Sequence, residues 1–376
     1  MVMILKTWMI DMRKRTKFIA PNFQNYAHFP DCVFQPAPQD KTLPDGFLST
    51  TNYPTYVKIE GTWRLPHSPR MDSHLVWIPN EDMLEIREFR EIRKGDLVAV
   101  ATEEDGSEGV LVWDTGFIST AEESHEKFSF MNSEVSREKP VDYESIFEEF
   151  LFHRENGYIV WVIGPALVHS RGREAMEWLI SNGYCDAMLS GNAVAVHDIE
   201  AAIFGSTLGM KADGSGEAGG HSYHMRAINE VKKFGSIEKL IGQGKLKTGI
   251  MYTLQKHKVP YVLCGSIRDD GPLPETITDA VASQREMRKH TTKATMVVMV
   301  ATALHSIAVG NMMPTYYTDA DGQIQEITTL CVDQTEFLVS KLKDRGTHQA
   351  FGVVTNAQDF MRLLHLELQQ VELRKT

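Results

Sequence analysis

The sequence predicts an α/β fold, a parallel sheet with helices preceded by a smaller β-rich domain. Three observations lead there. The 376 residues are 42% hydrophobic and 24% charged, an ordinary globular composition, and at roughly 150 residues per domain the length predicts about two domains. Residues 1–140 carry strand and turn signals with little helical periodicity. From residue 141 onward, strand-like apolar runs alternate with helical patterns.

In the first domain, Pro and Gly punctuate short β-branched or aromatic runs. One of these is Tyr56-Val57-Lys58-Ile59, followed by a turn at Glu60-Gly61. Leu97 to Ala101 and Val110 to Trp113 flank an acidic, glycine-containing stretch that suits a hairpin or a longer loop. Ser119 to Pro140 is polar and charged, and the domain boundary is placed near its end. The second domain, 141–376, opens with Tyr158 to Ile163, a continuous apolar run of the kind covered on both faces of a sheet. Gly164-Pro165 stops that run, a helix is expected from Gly172 to Ser181, and Ala187 to Leu189 leads into Ser190-Gly191-Asn192. Tyr261 to Cys264 ends at Gly265-Ser266, and Thr329 to Val332 ends at Asp333 before a helical pattern over Glu336 to Lys343. Met296 to Met313 reaches about the minimum spanning length, but Thr302, His305, Ser306 and Asn311 interrupt it, and it is read as one buried helix.

Charge and cysteine usage narrow the function classes. The net charge of −11, with basic residues spread along the chain, makes nucleic acid and anionic membrane poor partners. Cys32, Cys185, Cys264 and Cys331 form no CxxC pair, so reduced thiols in the cytoplasm are expected. The apolar start, Met1 to Leu5, is too short for a signal-peptide core.

In a parallel sheet, ligands sit at the carboxyl ends of the strands. The turn Gly164-Pro165-Ala166-Leu167-Val168-His169-Ser170 could hold a phosphate on backbone N–H groups, although it is not GxGxxG and a structural strand–helix turn is the alternative. Ser190, Gly191, Asn192 and Ala193 put small residues after a second strand, where a ring or ribose could approach the backbone. Asp333 suits a ribose contact or an N-cap. The window Gly205 to Gly220 holds six glycines and ends next to His221-Ser222-Tyr223-His224, the composition of a lid. His221 and His224 are three apart, but no third ligand motif accompanies them, so no metal is expected. The densest cluster is Gly265-Ser266-Ile267-Arg268-Asp269-Asp270-Gly271-Pro272-Leu273-Pro274. There Arg268 could pair with a carboxylate, and Asp269 or Asp270 could hold an ammonium or take a proton; an internal Arg–Asp clamp is the other reading. His305 is weighed as a core histidine against a catalyst.

Several strings together resemble the archaeal-type ornithine cyclodeaminases. That domain also forms the C-terminal part of cyanobacterial arginine dihydrolase/ornithine cyclodeaminases and has been labelled a lysine-oxoglutarate reductase/saccharopine dehydrogenase region. The strings are Leu43 to Thr55, Ser190 to Ile199, Gly220 to Asn229, Gly249 to Tyr252, Gly265 to Pro274 and His305 to Asn311. They span about residues 36 to 365, and the first 35 residues match none.

The resemblance implies a Rossmann-like domain with a deoxyhypusine-synthase-like NAD-binding layout, a homo-oligomer, and NAD used catalytically to convert L-ornithine into L-proline and ammonia. It implies that Gly164 to Ser170, Ser190 to Ala193, Gly265 and Ser266 hold the dinucleotide, with Asp333 near a ribose. Arg268 would anchor the amino-acid carboxylate, and Asp269 or Asp270 would serve its amines. Asn52 would contribute from the β-rich domain, and His221 and His224 would help close the site. An NAD(P)-dependent amino-acid oxidoreductase of saccharopine type and a catalytically silent NAD or amino-acid sensor are the alternatives.

Overall fold

The computed structural model describes residues 17–118, 143–211, 214–269, 271–319, 321–335 and 350–375. The expected helix at Glu336 to Lys343 and the polar stretch Ser119 to Pro140 lie outside the described residues. The chain divides into two compact units. One takes Met1–Val141 together with Asn311–Ile327, and the other takes Asp142–Gly310, Thr328–Asp344 and Gln349–Thr376.

The first unit is antiparallel. Its main strands are β1 (Val33–Pro36), β2 (Thr55–Ile59), β3 (Thr62–Arg64), β4 (His74–Ile78), β5 (Met83–Arg87), β6 (Leu97–Val100) and β7 (Val110–Val112). They pair as a four-stranded sheet, β1-β6-β4-β5, and a three-stranded sheet, β3-β2-β7. The period of two along a strand explains why both faces of the larger sheet are covered. Leu75 and Trp77 of β4 and Ala99 of β6 enter one apolar cluster, while Val76 and Val98 between them enter a second. Glu60 and Gly61 both have positive φ, 51° and 76°, which gives the tight β2–β3 hairpin its twist. Residues 102–109 form the longer loop and not a hairpin, because β6 and β7 belong to different sheets.

The second unit is built on six parallel strands: β8 (Ile159–Ile163), β9 (Ala187–Gly191), β10 (Tyr261–Cys264), β11 (Met296–Val300), β12 (Thr328–Asp333) and β13 (Ala350–Val354). Helices α1 (Tyr143–Asn156), α2 (Pro165–His169), α3 (Arg173–Ser181), α4 (Asn192–Phe204), α5 (Tyr223–Phe234), α6 (Ile237–Gly242), α7 (Ile250–His257), α8 (Ala280–Thr291), α9 (Ala303–Met312) and α10 (Ala357–Lys375) complete it. The strands lie in the order β10-β9-β8-β11-β12-β13. Counted from β8, that order is 3-2-1-4-5-6, the Rossmann arrangement, in which successive connections reverse direction between the first and fourth strands and open a crevice there.

Met296 to Met313 is not the single helix expected. Met296–Val300 is a strand in register with Ile159–Ile163, every residue of both being buried. The chain then breaks at Ala301, φ 57°, and continues as α9. A strand buried on both faces and a buried helix both read as an unbroken apolar run, so periodicity could not separate them. No helix among the described residues is long and apolar enough to cross a membrane.

Candidate functional site

The crevice is prepared by backbone contact. Gly164 ends β8 with its N–H bonded to the Val300 carbonyl of β11 at 2.9 Å. A Cβ there would fall inside contact distance of the Ala301 carbonyl oxygen, so only glycine lets these two strand ends approach. At the end of β9, a Cβ on Gly191 would sit 2.8 Å from Cε1 of His305.

Beyond these strand ends lies a cleft of about 520 Å³, within the range of small-molecule and cofactor sites. Pro165 and His169 of α2, Gly191 to Val194, Val196 and His197 line it from the first two strand–helix units. Leu208, His224 and Ile228, then Cys264, Ser266, Arg268 and Asp269, and finally Leu304 and His305 complete the wall. The N-terminus of α4 faces this space without a side-chain cap. Its first-turn N–H groups and helix dipole therefore remain available to an anion.

Three imidazoles gather on one side. The His169 and His197 rings are 4.6 Å apart between centroids, and those of His197 and His224 are 6.4 Å apart. His197 Nδ1 lies 2.8 Å from Oε2 of Glu200, one turn further along α4. Glu200 is fully buried, and its other oxygen accepts the Leu208 N–H at 2.9 Å. Burial pushes the His169 pKa down to about 4, with the neighbouring His197 acting the same way and Glu200 opposing. Nδ1 of His224 is buried with no hydrogen-bond partner among the described residues. Across the cleft, burial also lowers the His305 pKa while the Asp269 carboxylate opposes, and Nδ1 of His305 lies 3.3 Å from Thr302 Oγ1. Burial raises the Cys264 thiol pKa, with Ser283 opposing, which suits an apolar wall better than a nucleophile.

The loop after β10 is shaped by its own polar groups. Asp269 accepts the Ser266 N–H at 2.7 Å, and the Arg268 N–H donates to Ser266 Oγ at 3.2 Å. This leaves the Arg268 side chain exposed on the cleft wall. Asn192 ties this loop to α4, its Oδ1 accepting from Leu273 N at 3.0 Å and Thr276 Oγ1 at 2.9 Å.

Of the residues expected at the site, the cleft brings together Pro165, His169, Gly191, Asn192, Ala193, Ser266, Arg268, Asp269 and His224. It does not include Gly164, Ala166, Ser170, Gly265 or His221. Ser190 is fully buried and donates to the Ile163 carbonyl at 2.8 Å, stitching β9 to β8. Asp333 is not on the wall either, and it accepts from the backbone and hydroxyl of Thr335, both at 2.9 Å. Asn52 belongs to the β-rich unit, and Asp270 lies outside the described residues. Among the described residues, no group of three or more His, Cys, Asp or Glu is placed to hold a metal ion.

The sequence does not single out the His197–Glu200 contact, although a signal is present: they stand three apart on one face of a largely apolar helix, and buried polar groups in such a helix require partners. The third such residue, Asp198, is structural. Its buried carboxylate pairs with Arg173 Nε at 2.7 Å and accepts the N–H groups of Ile250 and Met251 at 2.9 and 2.8 Å. It thereby caps α7 from another helix, and the string Gly249 to Tyr252 is explained by that contact.

Comparison with known proteins agrees with the fold. A family model described as "Arginine dihydrolase ArgZ-like, C-terminal, Rossmann fold" matches residues 144–364. Its companion, "Arginine dihydrolase ArgZ-like, C-terminal, first region", matches residues 54–144. An ornithine cyclodeaminase of Methanopyrus kandleri is 43% identical, the match covering 92% of this chain and 80% of that protein. The crystal structure of a conserved Methanococcus maripaludis S2 protein carrying a LOR/SDH label superposes with a TM-score of 0.82 at 41% identity, covering 92% of this chain and all of that one. The crystal structure of AgrE in ternary complex with ornithine and NAD⁺ gives 0.56 at 34% identity, covering 92% of this chain and 46% of that one.

Proposed function

This chain belongs to the ArgZ-like C-terminal family, and from that premise we propose that it is an NAD-dependent ornithine cyclodeaminase, converting L-ornithine into L-proline and ammonia. The observation that carries the reading is the cleft itself. It lies at the carboxyl ends of strands in 3-2-1-4-5-6 order and combines an uncapped helix N-terminus with an exposed arginine and half-buried imidazoles.

These residues fit a dinucleotide. The uncapped N-terminus of α4 suits a pyrophosphate, and Gly191 beside it lets the His305 ring pack against the backbone on the same wall. Pro165, His169, Ala193 and Ser266 line the same space. When bound, NAD supplies a hydride acceptor for the substrate Cα that is restored at the end of each cycle, so the reaction has no net redox change.

The chain's own groups would do the rest. Arg268, exposed on the cleft wall, would pair with the substrate carboxylate in a bidentate fashion. Asp269, with Asp270 beside it in sequence, offers a partner for a substrate ammonium. Leu208, Ile228 and Leu304 give the wall an apolar side; a reactive imine needs such a side to be closed off from water.

The test is product analysis of the purified chain with L-ornithine and substoichiometric NAD⁺, following proline, ammonia and NADH absorbance together. Equal proline and ammonia without NADH accumulation is expected. Stoichiometric NADH would replace this reading with an amino-acid dehydrogenase, and NAD binding without any product would leave a sensor.

A further inference from the structure

We propose that His197 is the proton acceptor for the substrate's α-amine and that Glu200 is its positioning residue, an assignment that rests on the cyclodeaminase reading above. The geometry is that of a carboxylate–imidazole dyad. Glu200 is fully buried and both its oxygens are engaged, Oε2 on His197 Nδ1 at 2.8 Å and Oε1 on the Leu208 N–H at 2.9 Å. A carboxylate held on both sides fixes the ring plane and keeps the neutral imidazole in the Nδ1–H tautomer. The Nε2 lone pair of His197, a side chain that is 12% exposed on the cleft wall, is then the free basic position.

The neighbours decide which imidazole takes the proton. The His169 ring from α2 lies 4.6 Å away, tilted by 60°, and two adjacent imidazoles do not both carry charge cheaply. His169 has no carboxylate of its own and burial keeps it neutral, whereas His197 has a buried counter-charge in contact. His224 from α5 faces His197 from a neighbouring helix at 6.4 Å. The acceptor is therefore the middle ring of the three.

Chemically, an N–H bond of the substrate's α-ammonium breaks and an H–Nε2 bond forms on His197. The electron pair stays on the substrate nitrogen, which becomes a competent amine. The resulting imidazolium is neutralised by Glu200. The same proton then returns to the departing nitrogen, which leaves as ammonia, so His197 ends each cycle as it began.

The test compares the wild-type chain with His197→Asn and Glu200→Gln in the ornithine assay from pH 6 to 10. NAD⁺ affinity is measured by titration calorimetry, and the imidazole tautomers of the free protein are read by ¹⁵N NMR. His197→Asn is expected to lower kcat at least 100-fold while NAD⁺ affinity changes less than threefold. Glu200→Gln keeps an oxygen for the Leu208 N–H. It is expected to lower kcat 10- to 100-fold and to move the acid limb of kcat/KM to lower pH, because an imidazolium formed beside a neutral amide lacks the contacting anion that stabilises it. A purely structural glutamate would leave that limb in place. Turnover of His197→Asn within threefold of wild type, or an unmoved limb in Glu200→Gln, overturns the proposal. Should Glu200→Gln fail to fold, His197→Asn and the wild-type tautomer carry the test. Absence of proline from the wild-type chain overturns the cyclodeaminase reading, whereas an Nδ1–H tautomer missing from His197 overturns the dyad alone.

Discussion

Asp198→Asn removes one charge and almost no volume, yet the structure predicts a large loss of stability. The carboxylate is fully buried and holds Arg173 Nε at 2.7 Å, with the first two N–H groups of α7 at 2.9 and 2.8 Å. Removing one partner of a buried ion pair costs about 3–5 kcal/mol, because the other charge stays behind. Arg173 is partly relieved, being 18% exposed with Glu177 at 3.7 Å, which places the estimate near the lower end, about 3 kcal/mol. The amide can still accept from one N–H of α7, but its NH₂ then faces another donor, and the favourable charge at the helix N-terminus is gone. For a unit of this size, each kcal/mol lowers Tm by roughly 2–4 °C, so the expected fall is roughly 6–12 °C by differential scanning calorimetry. Arg173→Met combined with Asp198→Asn is expected to recover part of that loss, since no charge is then stranded. A fall below about 2 °C for Asp198→Asn would refute the argument that this carboxylate holds α3, α4 and α7 together.

Other consequences follow from the same geometry. Gly164→Ala forces a Cβ into the Ala301 carbonyl and is expected to destabilise the chain by about 3 kcal/mol in urea unfolding; a midpoint equal to wild type would show that the two strand ends can separate freely. Arg268→Ala is expected to raise the KM for ornithine 10- to 100-fold with little change in NAD⁺ affinity, and Arg268→Lys to restore only part; an unchanged KM in steady-state assays would remove Arg268 from carboxylate binding. His169, held near a pKa of 4 when folded, accepts a proton near 6.5 when unfolded. Its contribution is therefore complete above about pH 6.5 and lost as the pH falls toward 4, because the unfolded state binds the extra proton. Screening at a ring that remains partly exposed reduces this to about 1–2 kcal/mol. His169→Gln is accordingly expected to narrow the gap between unfolding free energies at pH 7 and pH 4.5, and a gap of wild-type size would place the pH sensitivity elsewhere.

The strands were largely legible because burial on both faces writes itself locally. Ile159–Ile163 and Tyr261–Cys264 stand out as unbroken apolar runs closed by Gly164-Pro165 and Gly265-Ser266. The glycine-bearing turns and the Arg268 loop were legible for a similar reason, since turn chemistry is carried by neighbouring residues. The paired residues of the site were not. His197 and Glu200 lie in a segment whose first turn, Ser190 to Asn192, drew attention by its small residues, and nothing in one-dimensional spacing says that His169, 28 positions earlier, packs against that helix. Ser190 and Asp333 show the converse, each having the right residue type at a strand end but hydrogen bonds spent on structure.

Composition and periodicity alone determined that residues 141–376 contain repeated strand–helix units, because side-chain alternation and continuous burial depend only on adjacent positions. Only the tertiary structure decided the order β10-β9-β8-β11-β12-β13, the split of Met296 to Met313 into β11 and α9, and the meeting of three imidazoles, the middle one held by a buried carboxylate. Those outcomes depend on hydrogen-bonded register and packing between segments tens to more than a hundred residues apart, and the free energies that settle them belong to the folded arrangement and not to any local stretch of chain.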